Sequence, residues 1–142
     1  MSRNRTKGKI KRSNKPFCQV WHELLDSPDY LNLNHPAKTL LFDVMRQYRG
    51  NNNGDLCITL SVMKERGWKS NDTLTRAKKE LINSGLIIET RQGGRHKCSL
   101  FALSFEAVDG CGGKLDVLET LTPPKPLRKN KIGIPSNGAV AA

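Results

Sequence analysis

The sequence predicts an α+β fold of winged helix-turn-helix architecture, with a three-helix core, a C-terminal β-hairpin, an extra short N-terminal helix and basic disordered termini. Three observations lead there. From about Pro36 to Phe105 the apolar pattern runs long helix, short strand, short helix, tight turn, polar-faced helix and hairpin. The stretch "TRQGGRHK", residues 90 to 97, lies between the β-like runs "GLIIE" and "CSLFALSF" and reads as a hairpin turning at Gly93-Gly94, since glycine supplies positive φ without steric cost. Arg91, Arg95 and Lys97 crowd that turn, which an ordinary solvated tip does not need.

The first element is a short helix with Phe17, Val20, Trp21, Leu24 and Leu25 on one face, placed against the domain or a second copy of it. Pro28 stops it by biasing Ser27 away from helical angles. In the long helix, Asn34 is the expected cap and Pro36 a first-turn residue, with Ala37, Leu40, Leu41, Val44, Met45 and Tyr48 on one stripe. "RGNNNGD" is a loop, "LCIT" a strand, and "LSVMKERGW" a short helix capped at Ser61 and closed by Gly67.

The helix after "KSN" carries most of the functional reading. Ser70 or Asn71 caps it, Gly85 ends it, and Leu74, Ala77, Leu81 and the stem of Lys78 face inward. About 180° away at 100° per residue, the outer face presents Asp72, Thr75, Arg76, Lys79 and Asn83, donors and acceptors suited to base edges and phosphates. Any surface helix shows a polar outer face, so the order of elements lifts this one above the bland reading. The DNA-contact set expected from helix and hairpin is Lys69, Ser70, Asn71, Thr73, Thr75, Arg76, Lys79, Arg91, Arg95, His96 and Lys97.

Charge placement agrees. The net charge is +11, and residues 1–16 carry seven Lys/Arg and no acid while residues 121–142 carry four and no acid, which is the whole excess. The intervening stretch is neutral overall, yet residues 69–97 hold seven basic residues against three acidic ones. Basic arms on a neutral domain point to a polyanion, nucleic acid before a membrane surface. The expected division is a basic disordered arm over 1–16, a DNA-binding domain over 17–110, and a loop with a Pro/Lys-containing flexible tail over 111–142.

Three blocks, "LLDSPDYLNL", "YRGNNNGDLCITLS" and "GWKSNDTLTRAKKELINSGLI", resemble a family of small winged-helix proteins from bacteriophages and other bacterial mobile elements, over about residues 17–105. The resemblance implies double-stranded DNA as partner, places Ser70, Asn71, Asp72, Thr73 and Arg76 on the family's motif, and implies the cytoplasm of a bacterial host, near the nucleoid. Related winged helices serve as transcriptional regulators, the reading preferred for this chain, and as origin-binding replication initiators. A homodimer, and replication or transcription proteins held by the tails, are the further partners expected.

Other classes have less support. Cys18, Cys57, Cys98 and Cys111 include no CxxC pair and read as four small, mostly buried hydrophobes rather than a zinc or redox motif. His96 and Cys98 alone are too few for a metal site, so neither metal nor cofactor is expected. No GxxxxGK[ST], GxSxG or HExxH spacing occurs, and no enzyme is expected. Single-strand or RNA binding lacks an aromatic platform, since the eight aromatic residues are mostly spent on core stripes. A nonspecific nucleic-acid binder and a protein-docking domain complete the alternatives. No run reaches membrane-span length.

Overall fold

The computed structural model describes residues 14–128. Residues 1–13 of the arm expected over 1–16 and residues 129–142 of the tail expected over 111–142 lie outside the described residues. Within them the chain is α+β. Helices α1 (His22–Asp26), α2 (Pro28–Leu31) and α3 (His35–Gln47) precede strand β1 (Leu56–Cys57). Helix α4 (Leu60–Met63) runs into a 3-10 turn (Lys64–Arg66), followed by α5 (Asn71–Ser84), β2 (Ile87–Arg91), β3 (Leu100–Leu103) and a 3-10 turn at Cys111–Gly113. The three strands form one antiparallel sheet in the order β1-β3-β2.

Helix α3 starts where expected: the Asn34 side chain accepts from the Ala37 amide at 3.0 Å, and Pro36 sits in the first turn, where a missing N–H is harmless. Its stripe of Ala37, Leu40, Leu41, Val44 and Met45 is buried, and with Leu74, Ala77 and Leu81 of α5 and Phe101 and Leu103 of β3 it forms the core. Each fully buried leucine contributes about 1.5–3 kcal/mol of transfer free energy.

Several local expectations are corrected. The apolar face proposed from Phe17 to Leu25 is helical only from His22, and Phe17 is 88% exposed. The segment 17–21 has no regular secondary structure, and Trp21 makes an edge contact with the Phe105 ring, centroids 6.1 Å apart, so packing rather than helical periodicity places Trp21. Ser27 does end α1 in extended angles, and then caps α2 by accepting from the Tyr30 amide. The short helix is capped by Thr59, not Ser61: the Thr59 hydroxyl accepts from the Val62 amide. Only Leu56 and Cys57 of "LCIT" remain in the strand.

The hairpin turn is also shifted. Gly94 and Lys97 form the closing pair, which leaves Arg95 and His96 at the corner, and the positive φ of 68° falls on His96 rather than on a glycine. Gly93 is needed for a different reason, since a Cβ there would stand 2.5 Å from the Ser99 amide nitrogen. A register shift between Glu89 and Arg91 bulges β2 just before the turn.

Residues 111–128, expected to be loop and flexible tail, lie along the domain. The Asp116 amide donates to the Thr90 carbonyl at 2.8 Å and its carboxylate accepts from the Gln92 amide at 2.8 Å, so this segment is fastened to β2 and the hairpin. The Lys125 amide donates to the Ser104 carbonyl at 3.0 Å, Leu127 is packed against the core, and Arg128 pairs with Asp29 of α2. Composition registered the prolines and lysines here but not these backbone partners. "KLDVLETL" is neither helix nor strand.

Candidate nucleic-acid interface

Helix α5 supplies the larger part of the site. The Ser70 hydroxyl accepts from the Thr73 amide at 3.3 Å, and Gly85 ends the helix in left-handed angles, as the sequence indicates. Leu74, Ala77 and Leu81 are buried. The opposite side exposes Asp72, Arg76, Lys79 and Asn83, the first turn exposes Asn71 and Thr73, and Lys69 and Ser70 are exposed just ahead; Thr75, expected on the outer face, is half-buried. Arg76 pairs with Asp72 at 2.6 Å, but both side chains are more than two-thirds exposed, so the pair is worth little in water and exchanges readily for another anion. Lys78 lies along the flank, its Nζ 6.0 Å from the centroid of Phe101 in β3, which anchors the helix against the sheet.

The hairpin tip supplies the rest. Arg95, His96 and Lys97 are exposed at the corner. Arg91 is not among them. Its guanidinium turns inward and donates to the Cys98 carbonyl at 2.9 Å, linking the two limbs of the hairpin, while its Nε is buried without a hydrogen-bond partner. The bulge beside it is what changes the side to which Arg91 points relative to a regular strand. Of the eleven residues expected to form a contact set, Arg91 alone has its charge turned into the scaffold, and the other ten lie on α5, its approach or the tip.

What orients α5 was not legible as a motif. Asp43, 9% exposed on α3, accepts the Trp68 indole N–H at 2.7 Å and the Arg66 Nε–H at 3.2 Å. These bonds fasten both sides of Gly67, and hence the turn into α5, to the long helix. A depression of about 490 Å³ opens beside this turn, bordered by His35, Thr39, Arg66, Lys69, Ser70 and Thr73. His35 and Arg66 thus join the basic end of the site although no sequence spacing links them to it.

A second buried device sets the sheet. Asn53 is fully buried, its amide nitrogen donating to the carbonyls of Leu103 at 3.0 Å and Ala107 at 2.9 Å while its oxygen accepts from the Leu103 amide at 2.8 Å. It joins the loop before β1 to the chain leaving β3. Among the described residues no group of three or more His, Cys, Asp or Glu converges, and no helix is long and apolar enough to cross a membrane.

No protein-family model and no curated protein matches this chain. Among solved structures, it is similar to a chain of a Rep–DNA complex, at 25% identity over 63% of this chain and 75% of that one, with a TM-score of 0.44. It is similar also to the N-terminal domain of a DNA-binding protein, at 25% identity over 63% of this chain and 74% of that one, with a TM-score of 0.41. At such TM-scores the backbones superpose only in part.

Proposed function

We propose that this chain is a winged helix-turn-helix protein that binds double-stranded DNA. In this reading α4 with its 3-10 turn and α5 are the helix-turn-helix pair, α5 enters the major groove, and the β2–β3 hairpin is a wing lying on phosphates or in the adjacent minor groove. The observation that carries it is the set of exposed cations on two joined elements. Among the described residues Lys69, Lys79, Arg95 and Lys97 have no ion-pair partner, and they flank a helix face of Thr73, Arg76 and Asn83 that offers both donors and acceptors. Cations fix position on the backbone, and side chains with paired donors and acceptors discriminate bases.

The role proposed within that class is transcriptional regulation, as a homodimer on an inverted repeat, in the cytoplasm of a bacterium carrying the phage or mobile element from which the chain derives. The test is selection of bound fragments from random and element DNA by the purified full chain at near-physiological salt. An enriched inverted repeat with half-sites about one helical turn apart supports the regulator. An array of direct repeats replaces it with an origin-binding initiator. Salt-sensitive retention without enrichment replaces it with a nonspecific binder.

A further inference from the structure

Cys57 closes β1, and Cys98 stands two residues before β3. Forty-one positions separate them in the chain, yet the Cys57 thiol lies 3.6 Å from the Cys98 sulfur. Both residues are half-buried and both thiols are free, so a small reagent can reach them without unfolding the core. A disulfide requires about 2.05 Å between sulfurs, a closure of roughly 1.5 Å from the present separation.

The position of the pair matters more than its proximity. The sheet joins β1 to β3 by only two residue pairs, Leu56 with Phe101 and Cys57 with Leu100. A bond between Cys57 and Cys98 would close the ladder's open end and enclose α4, α5, β2 and the hairpin tip in one covalent ring. The Arg91 guanidinium, bonded to the Cys98 carbonyl, also lies 3.9 Å from the Cys98 sulfur, where its charge favours a thiolate. Burial and the Cys57 thiol act in the opposite sense and raise the Cys98 pKa.

We propose that Cys57 and Cys98 are a reversible redox modification site, closed to a disulfide by small-molecule disulfides of the glutathione type. One protein thiolate attacks a sulfur of the oxidant, giving a mixed disulfide and releasing one small thiolate. The second protein thiolate then attacks the first protein sulfur, forming the Cys57–Cys98 bond and releasing the second. The two protein thiols lose two electrons and two protons, and one small disulfide becomes two small thiols. Resting on the DNA-binding reading, the consequence is that drawing residue 98 toward β1 moves the hairpin tip off its DNA-bound position and weakens binding.

The experiment equilibrates the full chain in reduced and oxidised glutathione mixtures, traps thiols with an alkylating agent and maps them by peptide mass spectrometry. Expected is one cross-link between the peptides of Cys57 and Cys98, reversed by dithiothreitol, with Cys18 and Cys111 uncross-linked and the melting temperature of the oxidised form raised by on the order of 10 °C. Cys98→Ser should abolish the cross-link and leave glutathione on Cys57. Continued alkylation of both residues in a mixture that already modifies exposed Cys18, or cross-linking through Cys18 or Cys111 instead, overturns the assignment. DNA affinity is then compared between the two forms, with a loss of at least about threefold expected on oxidation. A cross-link with unchanged affinity overturns the switch and leaves DNA binding standing. Absence of DNA binding in both forms overturns the DNA reading, while the mapped cross-link still supports the redox site.

Discussion

The Asp43 carboxylate and the Trp68 indole meet at 2.7 Å, across 25 residues of chain, and this hydrogen bond sets how α5 leaves α3. The same carboxylate holds Arg66 at 3.2 Å, so one acidic side chain on the buried side of the long helix fastens both sides of the Gly67 turn. Asp43→Ala strands the indole donor and frees the turn. A loss of about 1–3 kcal/mol is expected in urea unfolding. Asp43→Asn keeps an acceptor and should lose less; equal losses for the two variants would mean that the hydrogen bonds contribute nothing.

Asn53 satisfies backbone groups where the chain leaves β3. Asn53→Ala removes that partner from the Leu103 amide and from the carbonyls of Leu103 and Ala107 in a buried setting. The expected destabilisation is about 3 kcal/mol, measured by chemical denaturation, and it should bring early hydrogen exchange at β3. Asn53→Asp should be no better, because a carboxylate cannot donate to those carbonyls.

The basic residues of the hairpin should separate into two kinds. Arg95→Ala with Lys97→Ala should leave the melting temperature unchanged and weaken DNA binding, reducing the magnitude of the log–log salt slope by up to about 0.9 for each phosphate no longer neutralised. Arg91→Ala should instead lower stability, since its bond to the Cys98 carbonyl joins the hairpin limbs. Removing residues 1–16 should flatten the salt slope and leave sequence preference largely intact, as measured by titrating labelled DNA at several salt concentrations.

Glu106 provides the pH dependence. Burial, and next the nearby Asp109 carboxylate, raise its pKa in the folded chain. The folded state thus binds its proton more tightly than the unfolded state does. The associated stability is fully present below the ordinary carboxylate pKa and is lost as pH rises through the raised folded value. Glu106→Gln should therefore unfold at a higher temperature than the parent near neutral pH, with the difference closing in acid. A difference independent of pH would assign the effect to packing instead.

Local physics was readable for many features that depend on neighbours in sequence, although the cap of α4 fell on Thr59 rather than Ser61. The Asn34 and Ser70 caps, the Gly67 and Gly85 terminations, the buried stripes of α3 and α5 and the outward face around Arg76 all follow from hydrogen-bonding groups or spacing within one or two turns. So does the α+β order of elements. Of the outward set expected on α5, Asp72, Arg76, Lys79 and Asn83 are exposed, because helical geometry alone separates them from Leu74, Ala77 and Leu81, while Thr75 is half-buried.

Tertiary structure decided what depends on partners distant in the chain. Asp43 lies within an apolar helix, and only the arrival of Trp68 and Arg66 explains a buried carboxylate there. The inward turn of Arg91 follows from the bulge in β2, and the shift of the corner to Arg95-His96 from the Gly94–Lys97 pairing, neither of which composition encodes. Residues 111–128 lie along the domain because Thr90, Gln92 and Ser104 offer backbone groups at matching heights. Cys57 and Cys98 become a pair only once β1 and β3 adjoin. Periodicity reports which side of an element is apolar; it carries no information about which distant polar group will meet it there.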